Sequence, residues 1–350
     1  MGGSLSIVRF ASVDKSYRSG FALRKKAVLY DISFQLEPGE VFAYLGHNGA
    51  GKSTSVKAML GLIGIDAGHI EIFGTRPGSR DALRRVGYLP ENPYFYDHLT
   101  GEEFLQLVAQ LCDLDRATRR RRIDEVLERV GMETNAGQRL RGYSKGMLQR
   151  IGLAQAILHD PELLILDEPM GGLDPLGRAQ MRRIIEELAA QGKTIFLCSH
   201  ILADVEAVAD RAAILSGGLL RRVVDLHELR IQGRRIQIEC RGLVEPAIGH
   251  LRRLGHDVTL HGESHHIVVH DQSAVPEVVA QIDGAGARLL NVQPVRRSLE
   301  EIFLEEVGHV QPGQGPDDVR STVSSLLEAV GESTPVHESG QGSKSVEIPS

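Results

Sequence analysis

One short segment constrains the fold of this 350-residue chain more than any other. It fits the pattern G-x-x-x-x-G-K-[ST] and consists of Gly46, His47, Asn48, Gly49, Ala50, Gly51, Lys52, Ser53 and Thr54. Residues 40–45 are mostly apolar and predict a strand that enters the segment, and residues 53–62 predict a helix that leaves it. A strand, a glycine-rich turn and a helix in this order surround an anion with backbone amides and the positive end of a helix dipole. The segment therefore predicts a phosphate-binding loop in an α/β fold.

Each residue type in this loop suits a nucleoside triphosphate. The glycines let backbone N–H groups turn toward the phosphates, Lys52 supplies a positive charge, and the Ser53 hydroxyl can hold Mg²⁺. Gly49 and Gly51 also begin the dinucleotide-binding pattern G-x-G-x-x-G, but Thr54 stands where its third glycine belongs. A dinucleotide site is therefore disfavoured, as is an ordinary glycine turn.

A second motif lies farther along the chain, where two carboxylates follow an apolar run. Residues 163–166 are Leu-Leu-Ile-Leu, which predicts a buried parallel strand, and Asp167 and Glu168 come next. Open α/β sheets bind ligands at the carboxyl ends of their strands. Asp167 is therefore a candidate Mg²⁺ ligand, and Glu168 is a candidate general base for an attacking water. The alternative is a strand that happens to end in a surface Asp-Glu pair.

Composition and charge limit the other possibilities. The net charge of −6 gives no general reason to expect nucleic-acid binding. The three cysteines are few and widely spaced, which favours a reducing compartment over a disulfide framework. No signal segment and no run of 18 apolar residues is apparent, so we expect a cytosolic protein that does not span a membrane by itself.

The chain resembles the nucleotide-binding subunit of an ATP-binding cassette (ABC) transporter over residues 5–230. The family's other motifs occur in the expected order, which is more specific than any one of them. Tyr17 stands at the place of the adenine-stacking aromatic, and His200 at that of the switch histidine. Between them, residues 87–91 correspond to the Q-loop, 143–147 to the signature and 171–175 to the D-loop. The resemblance implies a P-loop NTPase cassette with a mixed sheet core and a helical subdomain at about residues 92–150.

Further roles follow from the resemblance. Ser144 and Gly146 would bind the γ-phosphate of ATP held by a second cassette, so that hydrolysis requires a dimer. Asp174 would link the two sites across that dimer, and His200 would contact the γ-phosphate and position the water. The expected cofactors are ATP and Mg²⁺. Whether the cassette pairs with itself or with a different one is open.

Two departures from the commonest motifs indicate a subgroup. Glu91 replaces the usual Gln and brings a charge near Mg²⁺ and the attacking water, while Lys145 and Met147 replace two residues of the usual signature. Both changes resemble single-cassette ATPases that serve separate ABC-2 type export permeases. The resemblance therefore implies an export subunit at the cytoplasmic face of the cell membrane, attached through a permease. An importer subunit is the nearest variant.

The helical region contains two exposed-looking tyrosines and a run of arginines, and each has two possible interpretations. Tyr94 and Tyr96 flank the groove in which a permease's coupling helix would dock, although packing of the subdomain explains them equally well. Four consecutive arginines at 119–122 predict a solvated helix face rather than a contact with anionic head groups.

The remaining chain predicts a second unit and a tail. Residues 231–308 have the element order βαββαβ of a ferredoxin-like accessory domain, with a closing segment at 298–304 that resembles the usual ending of such domains. His261 and His266 are expected to face each other across a hairpin with His265 and His270 nearby, and a polar face is favoured there over a metal site. Residues 309–350 lack the apolar content for a core and are expected to be mostly disordered, with one short helix possible at 319–330.

Two other function classes compete with a transport subunit. A soluble ABC ATPase of translation or DNA repair would usually carry two cassettes or a long coiled-coil insertion, and neither occurs in this sequence. A regulatory module that has lost hydrolysis is disfavoured because Lys52, Asp167, Glu168 and His200 are all present.

Overall fold

The computed structural model describes residues 6–19, 24–232, 235–295 and 298–308. These residues belong to one compact unit that ends at Gly308. The tail expected at 309–350, with its possible helix at 319–330, lies outside the described residues. Over the ranges that the structure describes, no helix combines the length and the apolar character needed to cross a membrane.

The first two thirds of the chain build a large mixed sheet. Its strands, as far as the described residues go, are β1 Val8–Ser19, β2 Arg24–Leu36, β3 Val41–Leu45, β4 Ala67–Ile72, β5 Val86–Leu89, β6 Leu163–Asp167, β7 Thr194–Ser199, β8 Arg211–Ser216 and β9 Leu219–Asp225. They lie in the order β4-β1-β2-β9-β8-β3-β7-β6-β5. The strands from β8 to β5 through β3 pair in parallel, whereas β1 pairs with β2 and β4 in antiparallel fashion.

Helices surround this sheet and connect its strands. They are α1 Lys52–Met59, α2 Arg80–Leu83, α3 Gly101–Leu111, α4 Arg116–Val130, α5 Lys145–Ile157, α6 Pro175–Ala190, α7 Leu202–Val208 and α8 Leu226–Gln232. A sheet of parallel and antiparallel strands connected by helices confirms the expected cassette fold.

Three parallel strands decide where the polar residues meet. Every residue of β3, β6 and β7 is buried, as expected for apolar strands covered on both faces. Their register pairs Leu45 with Ser199 and Asp167 with Cys198. Because parallel strands end at the same edge of a sheet, the segments after Leu45, Leu166 and Ser199 are neighbours in space.

An aromatic cluster holds the antiparallel strand β2 against these central strands. The rings of Phe34 and Phe42 stack with centroids 5.5 Å apart, and Phe196 lies 6.0 Å from Phe34 and 5.3 Å from Tyr44. Offset aromatic contacts of this kind add about 0.5–1.5 kcal/mol each to the free energy gained by burial. The cluster fixes the strand that leads into the loop at Gly46.

The helical region between β5 and β6 has local signals at each helix start. Thr100 and Glu103 form a capping box at α3, Asp115 caps α4, and Ser144 caps α5 through its Oγ. One sequence expectation was wrong in part here. Arg122 is not on a fully solvated face, since its guanidinium donates to the O atoms of Leu158 and Ile157 at 2.9 and 2.8 Å. It thereby satisfies carbonyls at the end of α5.

The last part of the described chain contains a second, smaller sheet. Its elements are β10 Arg235–Arg241, α9 Glu245–Arg253, β11 Asp257–His261, β12 Ser264–Val269, α10 Val275–Gly284 and β13 Arg288–Val295. The antiparallel strand order is β11-β12-β10-β13, and the sheet shares a separate apolar cluster with α9 and α10.

The final described helix, α11 Leu299–Gly308, returns to the cassette. It packs on α7 and β8, and the side chains of Leu299, Ile302, Phe303 and Val307 are buried. Its first backbone N–H donates to Oε1 of Glu206 at 3.4 Å. The small sheet is thus flanked in sequence by α8 and α11, and α11 rests on the helix that follows His200.

Candidate functional site

The loop between β3 and α1 has the backbone that its glycines predict. Gly49 and Gly51 have φ values of +84° and +115°, a region that favours glycine. A Cβ on Gly51 would lie 2.7 Å from Leu29 Cδ2, and one on Gly46 would lie 2.7 Å from the Leu215 O atom. A Cβ on Gly49 would meet nothing within 4 Å, so this side of the loop is open. The loop is therefore fixed by packing at two glycines and accessible at the third.

Lys52 lies at the centre of the site. Its side chain is buried, and its Nζ donates to the Gly46 O atom at 2.6 Å and lies 3.2 Å from Oε1 of Glu168. Because both groups are themselves buried, the attraction is screened much less than at a surface. A triphosphate in the loop would compete with these two oxygens for the ammonium.

Asp167 is a buried carboxylate with an incomplete set of partners. It is 4% exposed, and its Oδ1 atom has no hydrogen-bond partner within the part of the chain that the structure describes. Burial raises its pKa to about 6, with the charges of Glu168 and Glu91 adding to the effect and Lys52 and the Ser53 hydroxyl opposing it. An orphaned carboxylate oxygen beside a hydroxyl fits a hard divalent cation.

Glu168 is held in the ionised form by its neighbours. Its Oε2 lies 2.8 Å from Nδ1 of His200, and its backbone has φ +50°, which turns the chain sharply after Asp167. Burial would raise its pKa, but the hydrogen bond from His200 and the charge of Lys52 outweigh burial and lower it. The two adjacent carboxylates thus have pKa values shifted in opposite directions, a common feature of acid–base sites.

Glu91 lies near the carboxylates of Asp167 and Glu168 but is exposed to solvent. It follows β5 at the same sheet edge, its side chain is exposed, and its charge contributes to the raised pKa of Asp167. Close packing anchors the strand, since a Cβ on Gly87 would lie 2.1 Å from the Ala156 O atom in α5. Glu91 is therefore within electrostatic range of Asp167, as expected.

The signature and D-loop residues contact each other rather than the phosphate loop. Ser144 caps α5 by accepting from the Met147 N–H at 3.3 Å, and Asp174 caps α6 by accepting from the Gly177 N–H at 2.7 Å. Gly146 lies near Leu173, and the Lys145 side chain lies over Gly172. The starts of α5 and α6 are therefore neighbours in the fold.

Tyr17 lies in β1 and is 39% exposed. Lys15 stands over its ring with Nζ 5.4 Å from the centroid. An exposed ring beside a cation suits stacking with a base. Lys15 is a residue that sequence reasoning missed, although its i+2 spacing in a strand places both side chains on one face.

The histidines of the small sheet do not form a metal site in the described residues. The rings of His261 and His266 face each other across the hairpin with centroids 4.9 Å apart, as expected, although the register pairs His261 with Ser264 and Thr259 with His266. His266 is hydrogen bonded to Gln237, and His270 Nε2 lies 3.2 Å from Oδ2 of Asp257. Within the described ranges no three potential ligands converge on one point.

The geometry so far defines a class of protein, a P-loop nucleoside triphosphatase with its charged groups at one sheet edge. Comparison with known proteins is more specific. The family model for ABC transporters matches residues 29–171. An ABC transporter ATP-binding protein of Synechocystis sp. is 42% identical over 307 residues, which cover 86% of this chain and 85% of the relative.

Other relatives and solved structures agree. The bacitracin transport ATP-binding protein BcrA of Bacillus licheniformis is 39% identical and covers 66% of this chain and 73% of its own length. The linearmycin resistance ATP-binding protein LnrL of Bacillus subtilis is 33% identical and covers 82% of this chain and 96% of its own length. A solved ATP-binding subunit of an ABC transporter superposes with a TM-score of 0.58 at 34% identity, over 65% of this chain and 93% of that one.

The chain belongs to the family of ABC transporter ATP-binding subunits. It binds ATP and is an ATPase, and subunits of this family form cassette dimers and pair with membrane permease components. The family membership predicted from the order of the motifs is confirmed.

Proposed function

We propose that this chain is the ATP-hydrolysing subunit of an exporter whose membrane part is a separate ABC-2 type permease. The observation that supports hydrolysis best is the position of Glu168, whose carboxylate oxygens lie 3.2 Å from Lys52 Nζ and 2.8 Å from His200 Nδ1. Relatives whose names refer to bacitracin transport and linearmycin resistance support export. The Leu-Pro-Glu91 and Tyr-Ser-Lys-Gly-Met motifs point the same way.

The residues of this chain suggest the following division of work. The backbone amides of the loop around Gly49 and the Lys52 ammonium bind the β- and γ-phosphates of ATP. When Lys52 turns to the phosphates, Glu168 loses the neighbouring ammonium and its carboxylate becomes a stronger base for an attacking water. His200 holds the other oxygen of Glu168 and keeps the carboxylate in place. Tyr17 stacks on the adenine ring.

Mg²⁺ fits the donors at this edge of the sheet. Ser53 and Asp167 would hold it, with Glu91 nearby, because the orphaned Oδ1 atom of Asp167 needs a positive partner. When bound, the ion neutralises phosphate charge during phosphoryl transfer. Binding it also requires Asp167 to be ionised.

A second cassette would complete the site. Ser144 and Gly146 lie at the start of α5, where backbone N–H groups point outward, and they would contact the γ-phosphate bound by the partner. Asp174, at the start of α6, would join the two sites. We infer a dimer of cassettes, either of two copies or with a different chain, on the cytoplasmic face of the cell membrane.

Exposed aromatic residues between β5 and α3 are candidates for contact with the permease. Tyr94 is 94% exposed and Tyr96 is 54% exposed, whereas Phe95 between them is buried against Phe104. Exposed tyrosines on a fixed backbone suit the docking of a permease's coupling helix.

We assign residues 5–230 to the cassette, with its helical subdomain at about 92–150. The sheet within 231–308 is assigned to a ferredoxin-like accessory domain, on the basis of its order β11-β12-β10-β13.

The hydrolytic role is tested by Glu168→Gln in the full-length chain. The variant keeps the shape of the side chain but removes the base, so we expect ATP to remain bound and hydrolysis to fall by about 10²–10⁴-fold. Retained ATP should promote a dimer detectable by light scattering. Glu162→Gln is the matched control, because Glu162 lies just before the same strand and pairs with Arg85 at the surface. Unchanged hydrolysis in Glu168→Gln contradicts the assignment.

The transport role is tested by purification of the tagged chain from gently solubilised membranes of its native host. Mass spectrometry should identify a multi-spanning permease that copurifies. Recovery of only ribosomal, DNA-bound or other soluble proteins would contradict the export role and leave the ATPase in place.

A further inference from the structure

The short helix α7 begins directly after the switch histidine and has weak local signals of its own. Ile201 occupies its N-cap without a side-chain cap, and the Ile201 N–H donates to the Ser199 Oγ at 3.0 Å. A helix of seven residues is unstable in isolation, because nucleation is costly and few hydrogen bonds repay it. The position of α7, and with it the position of His200, therefore depends on contacts with other elements.

One such contact is an ion pair between the buried Asp204 of α7 and the partly exposed Arg182 of α6. Asp204, in the first turn of α7, is 2% exposed, and its Oδ1 accepts a hydrogen bond from Nη1 of Arg182 at 2.9 Å. Its other oxygen is buried and lacks a hydrogen-bond partner in the described part of the chain. A buried carboxylate of this kind depends strongly on the single cation that it has. Arg182 thus holds the first turn of α7 at one point on α6.

The helix that carries Arg182 begins at the D-loop. Asp174 caps it, and Arg182 lies about two turns farther along the same helix. A continuous helix is stiff over this length, so a movement at the D-loop is passed on to α7 through the pair. On another side, α11 packs against α7 and its first N–H donates to Glu206. The preceding helix α6 and the distant helix α11 therefore both hold α7.

We propose that Arg182 and Asp204 are positioning residues that set the distance between His200 and Glu168. This inference rests on the proposed role of His200 in hydrolysis. The pair is separate from the residues assigned to ATP binding, and it acts through the backbone of α7 on the His200 ring, whose Nδ1 lies 2.8 Å from Glu168 Oε2. Its loss affects the chemical step and leaves ATP binding by Lys52 intact.

The test uses Arg182→Gln in the full chain, with Arg183→Gln as the matched control. Arg183 is the next residue on the same helix, and its ion pair with Glu187 is at the surface, where the arginine side chain is 80% exposed. We expect Arg182→Gln to lower kcat about tenfold or more, since small misplacements of catalytic groups cost this much. KM and the affinity for a non-hydrolysable ATP analogue should stay within about twofold, because the binding residues are untouched.

Three further measurements separate positioning from a loss of folding. Arg182→Lys keeps the charge and should restore most of kcat, and the double variant Arg182→Gln, Asp204→Asn should be no slower than Arg182→Gln alone. The last measurement is an NMR spectrum of the chain labelled with ¹⁵N-histidine, in which the His200 ring signals are assigned by their loss in His200→Ala. These signals should move in Arg182→Gln and not in Arg183→Gln.

The outcomes distinguish this inference from the proposed function. If His200→Ala leaves kcat unchanged, the role of His200 itself is refuted. If His200→Ala lowers kcat but Arg182→Gln behaves like Arg183→Gln, or leaves the His200 signals in place, the positioning role of the ion pair is refuted. A fall in kcat accompanied by an equal loss of analogue binding also refutes it.

Discussion

The neighbouring carboxylates Asp167 and Glu168 are predicted to affect stability with opposite dependence on pH. The pKa of Asp167 is raised from 3.8 to about 6 by burial and by the charges of Glu168 and Glu91. Burial acts on Glu168 in the same way, but His200 and Lys52 lower its pKa below 4.5. Replacing Asp167 by Asn should therefore remove a pH dependence that the wild-type chain shows.

The sign and the size follow from proton linkage. Between about pH 4 and pH 6, folded Asp167 keeps a proton that the unfolded chain releases, so the free energy of unfolding falls as pH rises. The raised pKa of Asp167 corresponds to a stabilisation of about 3 kcal/mol at low pH. Of this stabilisation, about 1.4 kcal/mol is lost between about pH 5 and pH 7.5. For Glu168, whose pKa is lowered, the stabilisation is present above 4.5 and is lost only as pH falls through its folded value.

The assay is urea unfolding of the full chain at about pH 5 and pH 7.5, in the presence of a chelator of divalent cations. Circular dichroism is the appropriate signal, because the chain has no tryptophan. Relative to wild type, Asp167→Asn should be more stable at the higher pH than at the lower by about 1.4 kcal/mol. An unpaired amide in the variant costs the same at both pH values and cancels in this comparison.

Glu168→Gln is the internal control, since it should lower stability at both pH values and change the pH dependence less than Asp167→Asn does, because the Glu168 charge is one of several causes of the raised Asp167 pKa. The reasoning is refuted if the stability difference between wild type and Asp167→Asn is the same at both pH values. It is also refuted if Glu168→Gln shows the pH dependence predicted for Asp167→Asn.

Two other substitutions test the loop and the outer surface of the cassette. Gly51→Ala should lower the free energy of unfolding by about 1–3 kcal/mol and abolish binding of an ATP analogue, because its φ is +115° and its Cβ would lie 2.7 Å from Leu29 Cδ2; calorimetric titration with normal affinity would contradict this. Tyr94→Ala should leave melting temperature and basal ATPase activity unchanged, because the side chain is 94% exposed, but should reduce stimulation of the ATPase by a copurified permease. Equal stimulation of wild type and variant would remove Tyr94 from the docking surface.

Local motifs explain why so much of the site could be predicted. The loop from Gly46 to Thr54 is contiguous, and its geometry follows from glycine φ values and from the strand and helix around it. Asp167 was predicted because open α/β sheets bind ligands at the carboxyl ends of their strands, whereas the role of His200 was implied by the resemblance to the ABC family. Ser144 and Asp174 lie at helix starts, where capping preferences are strong.

Features that depend on packing between distant segments were not predicted. Arg182 and Asp204 pair across two helices, and nothing in either helix alone indicates the partner. The role of Arg122 at the end of α5 was missed for the same reason, since its acceptors lie far along the chain. The hairpin register was also not predicted, because the exact turn around Gly262 decides which residue of β12 pairs with His261 in the backbone ladder.

The return of α11 to the cassette has a consequence for the order of events during synthesis. The strands and helices up to β9 can fold as soon as Asp225 has left the ribosome, but the cover over α7 is complete only after Leu299 follows. At usual rates of synthesis this interval lasts about 4 to 15 s. During that time the apolar surface that Leu299, Ile302 and Phe303 will cover is exposed. A nascent chain is therefore open to chaperones at α7, and the switch histidine gains this last support only after α11 has been synthesised.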